Sequence, residues 1–436
     1  MSEPKPSAPS VPAAPEQRRI ATMARGLVGS EILKIAAEIR TRQREGRAIC
    51  NLTVGDFAPA QFPIPDKLRE GVQAALGGGE TNYPPSAGVQ ELREAVSRFY
   101  ARELGLDYPS SSILIAGGAR PLIYAIYRAV VDQGDSVVYP VPSWNNNHYC
   151  HMVGARGVPV LCGPEDRFLP TRDALVRELA GARLLCINSP LNPTGTAISA
   201  DALRGICEAV VEENDARSRT GERPLYLMYD HIYWMLCVEG VEHVTPTGLV
   251  PAVAPYTIYV DGISKAFAAT GLRVGWSAGP PDVIERMSAL LGHVGAWAPR
   301  AEQVATVALL DDPPCVAAFL ASFRPAVNAR LGRLHDGFRS MQADGLPVES
   351  MAPMGAIYLT VRISPFGLRT PGGERLETNE AVRAYLLEAA DFAVVPFQAF
   401  GMEGESGWFR LSVGAASEQE IRAALPRVAA ALRALG

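Results

Sequence analysis

The sequence predicts an α/β protein with a mostly parallel sheet between helices, followed by a smaller α+β domain. Short apolar runs rich in β-branched residues alternate with longer segments of helical periodicity from residue 113 to about 260. The chain has 436 residues, of which 48% are hydrophobic, and can therefore bury a large core in two domains. After about residue 313 the alternation stops and a long helical stretch begins. We therefore expect a large α/β domain and a separate C-terminal domain.

The large domain is predicted to contain six short apolar strands, with helices between them. The strands are predicted at residues 113–116, 136–139, 158–161, 183–187, 225–229 and 257–260, and helices at 121–131 and 202–211 among others. Functional groups gather beyond the carboxyl ends of such strands. Gly118, Asp230 and Ser264 each follow a predicted strand, so we expect them to converge in space.

The C-terminal part of the chain has a different order of elements. We predict a helix at about 316–342, a strand at 356–361, a helix at 379–390, strands at 393–396 and 408–412, and a last helix from about 418. The amphipathic segment 31–43 is expected to pack on this small domain. The predicted organisation is a disordered tail at 1–17, an N-terminal segment at 18–52, a large domain at 53–315 and a small domain at 316–436.

Charge and composition argue against several classes of protein. The net charge is −5, from 41 basic and 46 acidic residues, and no block rich in lysine and arginine predicts binding to nucleic acid or a membrane surface. No apolar run approaches the ~20 residues that span a bilayer. The first residues are rich in Pro, Ala and Ser and lack the apolar core of a signal peptide.

The cysteines and histidines predict a cytoplasmic protein without a metal site. The seven cysteines are odd in number and scattered, and no Cys-x-x-Cys motif occurs, so we expect free thiols in a reducing compartment. The six histidines do not have the spacing of zinc ligands.

The most informative motif is the segment from Ser264 to Arg273, in which Lys265 directly follows a serine and Arg273 comes eight positions later. A lysine amine can hold an aldehyde as a Schiff base, and a hydroxyl and a guanidinium can bind a phosphate. Pyridoxal phosphate (PLP) carries both groups. Burial would lower the pKa of Lys265 from its usual value of ~10.4 and make the neutral amine available. A surface lysine after a strand is the alternative.

Three further residues could bind the ring of such a cofactor. Asp230 ends an apolar run, and its carboxylate could keep a pyridine nitrogen protonated. Tyr233 could bond the ring's phenolic oxygen, and Asn192, held between two prolines, could be a second donor to it. The structural alternatives are a turn-forming aspartate, a packed tyrosine and a rigid proline-rich turn.

Gly118, Ala119 and Arg120 lie between a strand and a helix, where main-chain N–H groups can bind phosphate. Arg120 strengthens this interpretation, because a cation at a helix N-terminus opposes the helix dipole unless an anion is present. Trp144 could stack on a planar ring, and Arg410 in an apolar strand could clamp a substrate carboxylate. A surface salt bridge, core packing and a structural ion pair are the respective alternatives.

Together these residues resemble the class I/II aminotransferases of the PLP-dependent fold type I superfamily, particularly the aspartate aminotransferase branch. The resemblance extends from about Asn51 to Ser412. It implies a mostly parallel seven-stranded sheet, PLP as the cofactor, and a homodimer with shared active sites. It also implies a ping-pong transfer of the amino group from an L-amino acid, aspartate as the first choice, to 2-oxoglutarate.

The resemblance assigns roles to the cofactor-binding residues. Lys265 matches the Schiff-base lysine, Asp230 the pyridinium partner, and Tyr233 and Asn192 the phenolate donors. The remaining matches are the phosphate ligands Ser264 and Arg273, the phosphate loop at Gly118, Ala119 and Arg120, and the ring-stacking position of Trp144.

Other matches concern the substrate and the second subunit. Gly55 matches a glycine turn on the substrate side, and Arg410 matches the clamp for the α-carboxylate. Tyr83 matches a tyrosine that reaches the phosphate of the neighbouring subunit.

The sequence departs from the family pattern on the substrate side. His231 replaces a common glutamate, Arg120 replaces a small or amide residue, and Phe397 and Gln398 replace a usual glycine and small residue. The segment 293–300 also differs from one that often supplies a ligand for the side-chain carboxylate.

A second cation should bind the distal carboxylate of 2-oxoglutarate. Arg120, Arg300 and His293 are the candidates, while Trp297 and Phe397 keep an aromatic donor open.

Other functions remain as alternatives. A PLP-dependent lyase or decarboxylase, or an aromatic- or alanine-specific aminotransferase, would use the same cofactor residues. A PLP-dependent transcription regulator would need a DNA-binding domain before residue 51, for which the short tail leaves no room. A nucleotide-binding protein would need a Gly-x-Gly-x-x-Gly or Walker loop, and neither motif is present.

Overall fold

The computed structural model describes residues 20–27, 29 and 31–436. The predicted tail at 1–17 lies outside the described residues. The helices of the described part, in chain order, are α1 (Thr22–Gly26), α2 (Glu31–Arg44), α3 (Asp66–Gly77), α4 (Gln90–Leu104), α5 (Ala119–Val130), α6 (Asn146–Val153), α7 (Arg172–Leu179), α8 (Ala200–Thr220), α9 (Pro246–Leu249), α10 (Ile263–Ala266), α11 (Pro281–Val294), α12 (Arg300–Leu310), α13 (Pro313–Ala343), α14 (Asn379–Ala390) and α15 (Glu418–Arg433).

The strands form three sheets. In chain order they are β1 (Cys50–Asn51), β2 (Ile113–Ala116), β3 (Ser136–Val141), β4 (Arg156–Leu161), β5 (Ala182–Asn188), β6 (Tyr226–Asp230), β7 (Thr257–Gly262), β8 (Gly275–Ala278), β9 (Val348–Ser350), β10 (Tyr358–Ile363), β11 (Phe392–Ala393), β12 (Val395–Pro396) and β13 (Trp408–Ser412).

The largest sheet has seven strands in the order β2-β8-β7-β6-β5-β3-β4. Neighbouring strands are parallel except at β8, which is antiparallel to both β2 and β7. Every residue of β2, β3 and β7 is buried, as expected for strands with helices on both faces. The predicted α/β fold with a mostly parallel seven-stranded sheet is therefore confirmed.

Strand β8 was not among the six strands predicted individually. Its sequence, Gly275-Trp276-Ser277-Ala278, has no apolar run that would mark a buried strand. Its position depends on pairing with β2 on one side and β7 on the other, which is a tertiary constraint.

Some predicted boundaries are wrong at the ends that matter for the site. Strand β6 includes Asp230 rather than ending before it, and β7 continues to Gly262, where α10 begins at once. The single strand predicted at 393–396 is two strands separated by Val394. The chain changes sheets there, because β11 pairs with β1 and β12 pairs with β13.

A four-stranded antiparallel sheet, in the order β12-β13-β10-β9, forms the C-terminal part of the fold. Helix α2 lies against this part, where Ile35 and Ile39 share an apolar cluster with Leu387. Arg42 and Arg47 both donate to the carboxylate of Glu388, at 2.6 and 2.9 Å. The domain boundaries given above stay a prediction.

The carboxyl ends of the central strands bring polar side chains to one edge. In the register of the sheet, Asn188 of β5 is opposite Asp230 of β6, which is opposite Val260 of β7. The amide of Asn188 donates to the main-chain oxygen of Asp230 at 2.7 Å, and the N–H of Ser189 donates to the same oxygen at 3.1 Å. These bonds fix the strand end that carries the Asp230 carboxylate.

All seven cysteines are free. Within the described residues, no single helix has the length and apolar character needed to cross a membrane. One helix pair, Arg300–Leu310 with Pro313–Ala343, bent by 92° at the break between them, passes on length and composition alone.

Candidate active site

A cavity of about 670 Å³ lies beside the carboxyl ends of β5, β6 and β7 and reaches strands β10 and β13. Of the residues that the resemblance matches to the cofactor and the substrate, all but Gly118 and Tyr83 line it. The predicted residues that line it are Gly55, Ala119, Arg120, Trp144, Asn192, Asp230, Tyr233, Ser264, Lys265, Arg273 and Arg410.

Gly118 and Tyr83 lie outside the cavity for different reasons. Gly118 lies behind the cavity and leaves room for the guanidinium of Arg273, because a Cβ at this position would collide with Nη2 of Arg273. Its φ of +93° also favours glycine. Tyr83 is on the outer surface, where 81% of it is exposed and its ring packs against Trp297 with 5.2 Å between centroids.

Lys265 is half-buried in α10, and its Nζ donates to the main-chain oxygen of Gly55 at 2.5 Å. Loss of water around the amine lowers the pKa of Lys265 to about 8. The carboxylate of Asp56 opposes this change, while the guanidinium groups of Arg410 and Arg120 add to it. The neutral, nucleophilic form of Lys265 therefore becomes available at about pH 8.

Asp230 ends β6, and its Oδ1 accepts a hydrogen bond from the N–H of Ile232 at 3.1 Å. Burial raises the pKa of Asp230 to about 6, although the N–H of Ile232 and the charge of Lys265 both favour the carboxylate. Asp230 is thus ionised at neutral pH. This carboxylate can accept a hydrogen bond from a protonated ring nitrogen.

Arg410 of β13 is only 2% exposed and forms no ion pair with the residues that the structure describes. Its Nη1 donates to Oδ1 of Asn192 at 3.2 Å, and its Nη2 donates to the main-chain oxygen of Thr53. The buried Nε has no partner. The rings of Tyr358 and Phe400 flank the guanidinium at 4.8 and 4.9 Å. A buried cation held only by neutral groups is suited to binding an anion.

Arg273 and Ser264 lie at the other end of the cavity. Arg273 donates to the main-chain oxygens of Thr270 and Gly117, at 2.6 and 2.9 Å. These bonds direct the guanidinium toward the N-terminus of α5 at Ala119. A guanidinium, a hydroxyl and a helix N-terminus together can bind a phosphate group.

Arg120 and Trp144 interact with each other inside the cavity. The guanidinium carbon of Arg120 lies 4.5 Å from the centre of the Trp144 ring. Within the described part of the chain, Arg120 has no hydrogen bond or ion pair, so the surface salt bridge considered above does not form. Of the other candidates for the distal carboxylate, Arg300 is paired with Glu80, and neither Arg300 nor His293 lines the cavity.

Sequence reasoning missed two residues of the site. The hydroxyl of Tyr358 lies 2.6 Å from that of Tyr233, and burial raises the pKa of both phenols. Asp56 accepts a hydrogen bond from Oγ1 of Thr270 at 2.5 Å. In the sequence, Tyr358 has no feature that separates it from the other residues of an apolar strand. Asp56 directly follows the predicted turn at Gly55, and this position could have identified it.

The balance of charge in the cavity indicates what it binds. Four cationic side chains line it, from Lys265 and three arginines, but only two carboxylates, those of Asp56 and Asp230. None of the four cations forms an ion pair with a described residue. The donor set therefore fits PLP, whose phosphate can bind near Arg273, together with a substrate carboxylate near Arg410.

Comparison with known proteins gives the same result. Residues 47–428 match the family described as aminotransferase class I and II. The chain is 33% identical over 405 residues to an aspartate aminotransferase of Rhizobium meliloti, covering 92% of this chain and 93% of that protein.

Two solved structures are also similar. An aspartate aminotransferase from Rhizobium meliloti has a TM-score of 0.87 at 31% identity, covering 96% of this chain and all of that one. An aspartate aminotransferase from Thermus thermophilus with maleate has a TM-score of 0.84 at 29% identity, covering 95% of this chain and all of that one.

The low pKa of Lys265 can be measured without turnover. We expect its amine, in protein freed of any bound aldehyde, to react with an acylating reagent with a midpoint near pH 8, since burial disfavours the ammonium form. Mass spectrometry of peptides labelled at several pH values gives the midpoint. Lys67 is the internal control and should react with a higher midpoint, because its hydrogen bond to the carboxylate of Asp312 raises its pKa. Equal midpoints for the two lysines would contradict the assignment.

Proposed function

The chain belongs to the class I and II aminotransferases, which are PLP-dependent enzymes, and from this premise we propose how its residues bind the cofactor and which substrates it takes. The observation that carries the proposal is a group of four cations in one cavity, none of them in an ion pair with a described residue, with Asp230 at the end proposed for the ring. When bound, PLP supplies an aldehyde that captures amines and a ring that withdraws electrons from the bound amino acid.

Each end of the cofactor has its own set of residues. Lys265 holds the aldehyde carbon through its amine, and Asp230 keeps the ring nitrogen protonated. Tyr233 donates to the phenolic oxygen, which its raised pKa supports because the phenol stays protonated. Asn192 is the second donor, since Arg410 occupies its Oδ1 and leaves the amide N–H groups free to donate.

The remaining predicted residues bind the phosphate and cover the ring. Ser264, Arg273 and the N-terminus of α5 at Ala119 hold the phosphate. Gly118 supports them by leaving room for the Arg273 guanidinium. Trp144, whose ring packs against the guanidinium of Arg120, would cover the cofactor ring.

The substrate binds between the cofactor and β13. Arg410 clamps its α-carboxylate. Gly55 borders the substrate and leaves room for the hydroxyl of Tyr358, from which a Cβ at this position would lie 2.5 Å. Lys265 would act at Cα of the substrate, where its Nζ would take up and return the proton. Its lowered pKa supports this role, because the amine is neutral at a moderately alkaline pH.

We propose aspartate as the amino donor and 2-oxoglutarate as the acceptor. Both have a second carboxylate, and Arg120 is the cavity cation available for it, held over Trp144 without an ionic partner. The names of the relatives and the maleate in the Thermus thermophilus structure support a dicarboxylic substrate.

We also propose that the enzyme is a homodimer with shared sites, in the cytoplasm. The resemblance to aminotransferases in which a tyrosine at this position reaches the neighbouring subunit supports a dimer, and Tyr83, which is 81% exposed, is free to make such a contact. Val294, which is 63% exposed, is a second apolar side chain of this kind. The seven free cysteines support a reducing compartment.

Single-turnover spectroscopy tests the reaction class. We expect one equivalent of aspartate to change the absorbance of the bound cofactor with release of one equivalent of its 2-oxo acid, and 2-oxoglutarate to restore the spectrum. Lys265→Ala should abolish turnover, because no other lysine among the residues that the structure describes lines the cavity. Lys67→Ala, at an ion pair with Asp312 outside the cavity, is the matched control and should be active. Release of carbon dioxide or ammonia in place of the oxo acid would instead identify a decarboxylase or lyase.

Two arginine variants separate the two carboxylate-binding sites. Arg120→Gln should lower kcat/KM for aspartate by about 10–100-fold and leave that for alanine nearly unchanged, because only aspartate carries the distal carboxylate. Arg410→Lys should lower kcat/KM for both amino acids, since the planar fork that binds the α-carboxylate is lost. Steady-state kinetics with both donors measures this contrast. An equal loss for both donors in Arg120→Gln would reject its role in specificity.

Mixed dimers test whether Tyr83 serves the neighbouring subunit. Tyr83→Ala should bind PLP more weakly, and Lys265→Ala should be inactive. A dimer of one chain of each kind would contain one site with both native residues, so its activity should exceed that of either parent. Co-expression with two affinity tags isolates the mixed dimer for assay. Absence of any gain would show that Tyr83 is not shared.

A further inference from the structure

A buried polar network lies directly behind Asp230 and has no part in the chemistry described above. It consists of Tyr100 on α4, His231 and Trp234 after β6, His243, and Asp261 at the end of β7. Tyr100, His231 and Asp261 are at most 1% exposed, while His243 is half-buried. His231 is the residue that departs from the glutamate common in the family.

The hydrogen bonds of this network form one chain. His243 Nε2 lies 3.3 Å from His231 Nδ1, and His231 Nε2 lies 2.9 Å from the hydroxyl of Tyr100. That hydroxyl lies 3.3 Å from Oδ2 of Asp261. Trp234 Nε1 donates to the same oxygen at 2.9 Å, and the N–H of Gly262 donates to Oδ1 at 2.7 Å.

This chain of hydrogen bonds can provide Asp261 with a partner in either protonation state. When Asp261 is ionised, Tyr100 donates to it, His231 donates to Tyr100 and His243 donates to His231. When Asp261 carries a proton, all three bonds reverse, because each histidine can change its tautomer. No buried group loses its partner in either state, so the large cost of an unpaired buried donor is avoided.

The charges around Asp261 leave it free to take up a proton. Tyr100 faces it from α4, His231 and Trp234 from the turn after β6, and Trp276 is opposite it on β8. Within the described part of the chain, no lysine or arginine pairs with Asp261. Burial is the main cause that raises the pKa of Asp261 to about 8, against the hydrogen bonds from Gly262, Trp234 and Tyr100, and the negative charge of Asp230 makes a smaller contribution in the same direction as burial.

We propose that Asp261 is a positioning residue whose reversible protonation, carried by the chain of Tyr100 and His231, sets the negative charge behind Asp230. This inference rests on the proposed role of Asp230 at the ring nitrogen. An ionised Asp261 adds a second negative charge on the side of the cavity that holds the protonated ring, and a neutral Asp261 removes it. The enzyme thus carries a charge that changes with pH and does not touch the cofactor.

Infrared spectroscopy of the full-length holoenzyme tests the protonation directly. Wild type should show the band of a protonated buried carboxyl group at about pH 7 and lose it by about pH 9. Asp261→Asn should lack this change. Asp215→Asn, the same substitution at an exposed position of α8, is the matched control and should keep it. A wild type without the band, or an Asp261→Asn variant that retains it, would overturn the proposal.

The pH dependence of unfolding gives a second readout. The folded state binds a proton at Asp261 that the unfolded chain, with an ordinary pKa near 3.8, does not bind between pH 4 and 8. This contribution to stability is therefore lost as the pH rises toward 8. The unfolding temperature of wild type should fall between about pH 6.5 and 8, and that of Asp261→Asn should fall less. Equal slopes would contradict the proposal.

The link to Asp230 is read from the absorbance of the bound cofactor. Above about pH 8, where Asp261 is ionised in wild type, this absorbance should still change with pH, and it should change less in Asp261→Asn, because only wild type gains the negative charge. Equal changes in the two proteins would reject the link. If Asp261→Asn does not fold, Tyr100→Phe is the second variant, because it removes the central hydroxyl at nearly constant volume. It should move the midpoint of the infrared change. An unmoved midpoint would refute the role of Tyr100 in the hydrogen-bonded chain. Failure to bind PLP would reject the proposed function and leave the infrared result intact.

Discussion

The site depends on one physical constraint, which is that, among the described residues, neutral groups and not carboxylates hold the cations of its cavity. Lys265 donates to the main-chain oxygen of Gly55, Arg410 donates to that of Thr53, and Arg273 uses main-chain oxygens in the same way. A carbonyl dipole satisfies a donor without cancelling its charge. The cavity therefore keeps a positive potential that a phosphate and a carboxylate can neutralise, whereas ion pairs would have removed it.

The segment 53–57 connects Arg410 at one end of the cavity with Lys265 at the other. Its main-chain oxygens accept from Arg410 and Lys265, and that of Val54 accepts from the hydroxyl of Ser412 at 2.8 Å. The side chain of Asp56 continues the connection by accepting from Thr270. The cation proposed for the substrate and the amine proposed for the cofactor therefore share one strip of backbone, so a shift of this strip would change both together.

Much of the site could be predicted because its residues have local signatures. Lys265, Ser264 and Arg273 lie within one short segment, and Asp230 ends an apolar run, so their chemistry is visible in sequence. Tyr358 could not be found in this way, since its contact with Tyr233 joins residues 125 positions apart. The missed strand β8 and the break at Val394 have the same cause, because both depend on which sheet the chain meets rather than on its local pattern.

The placement of the arginines also bears on which reaction the enzyme favours. A PLP enzyme selects the Cα bond that breaks by how it orients the substrate, and one clamp on the α-carboxylate leaves rotation about that contact. In the proposed function, Arg120, held over Trp144 at 4.5 Å, would offer a second charge for a dicarboxylic substrate. Two charges at fixed positions define an orientation where one does not. A dicarboxylate would thus be bound by both ends, with its Cα near the amine of Lys265, which favours proton transfer over loss of the clamped carboxylate.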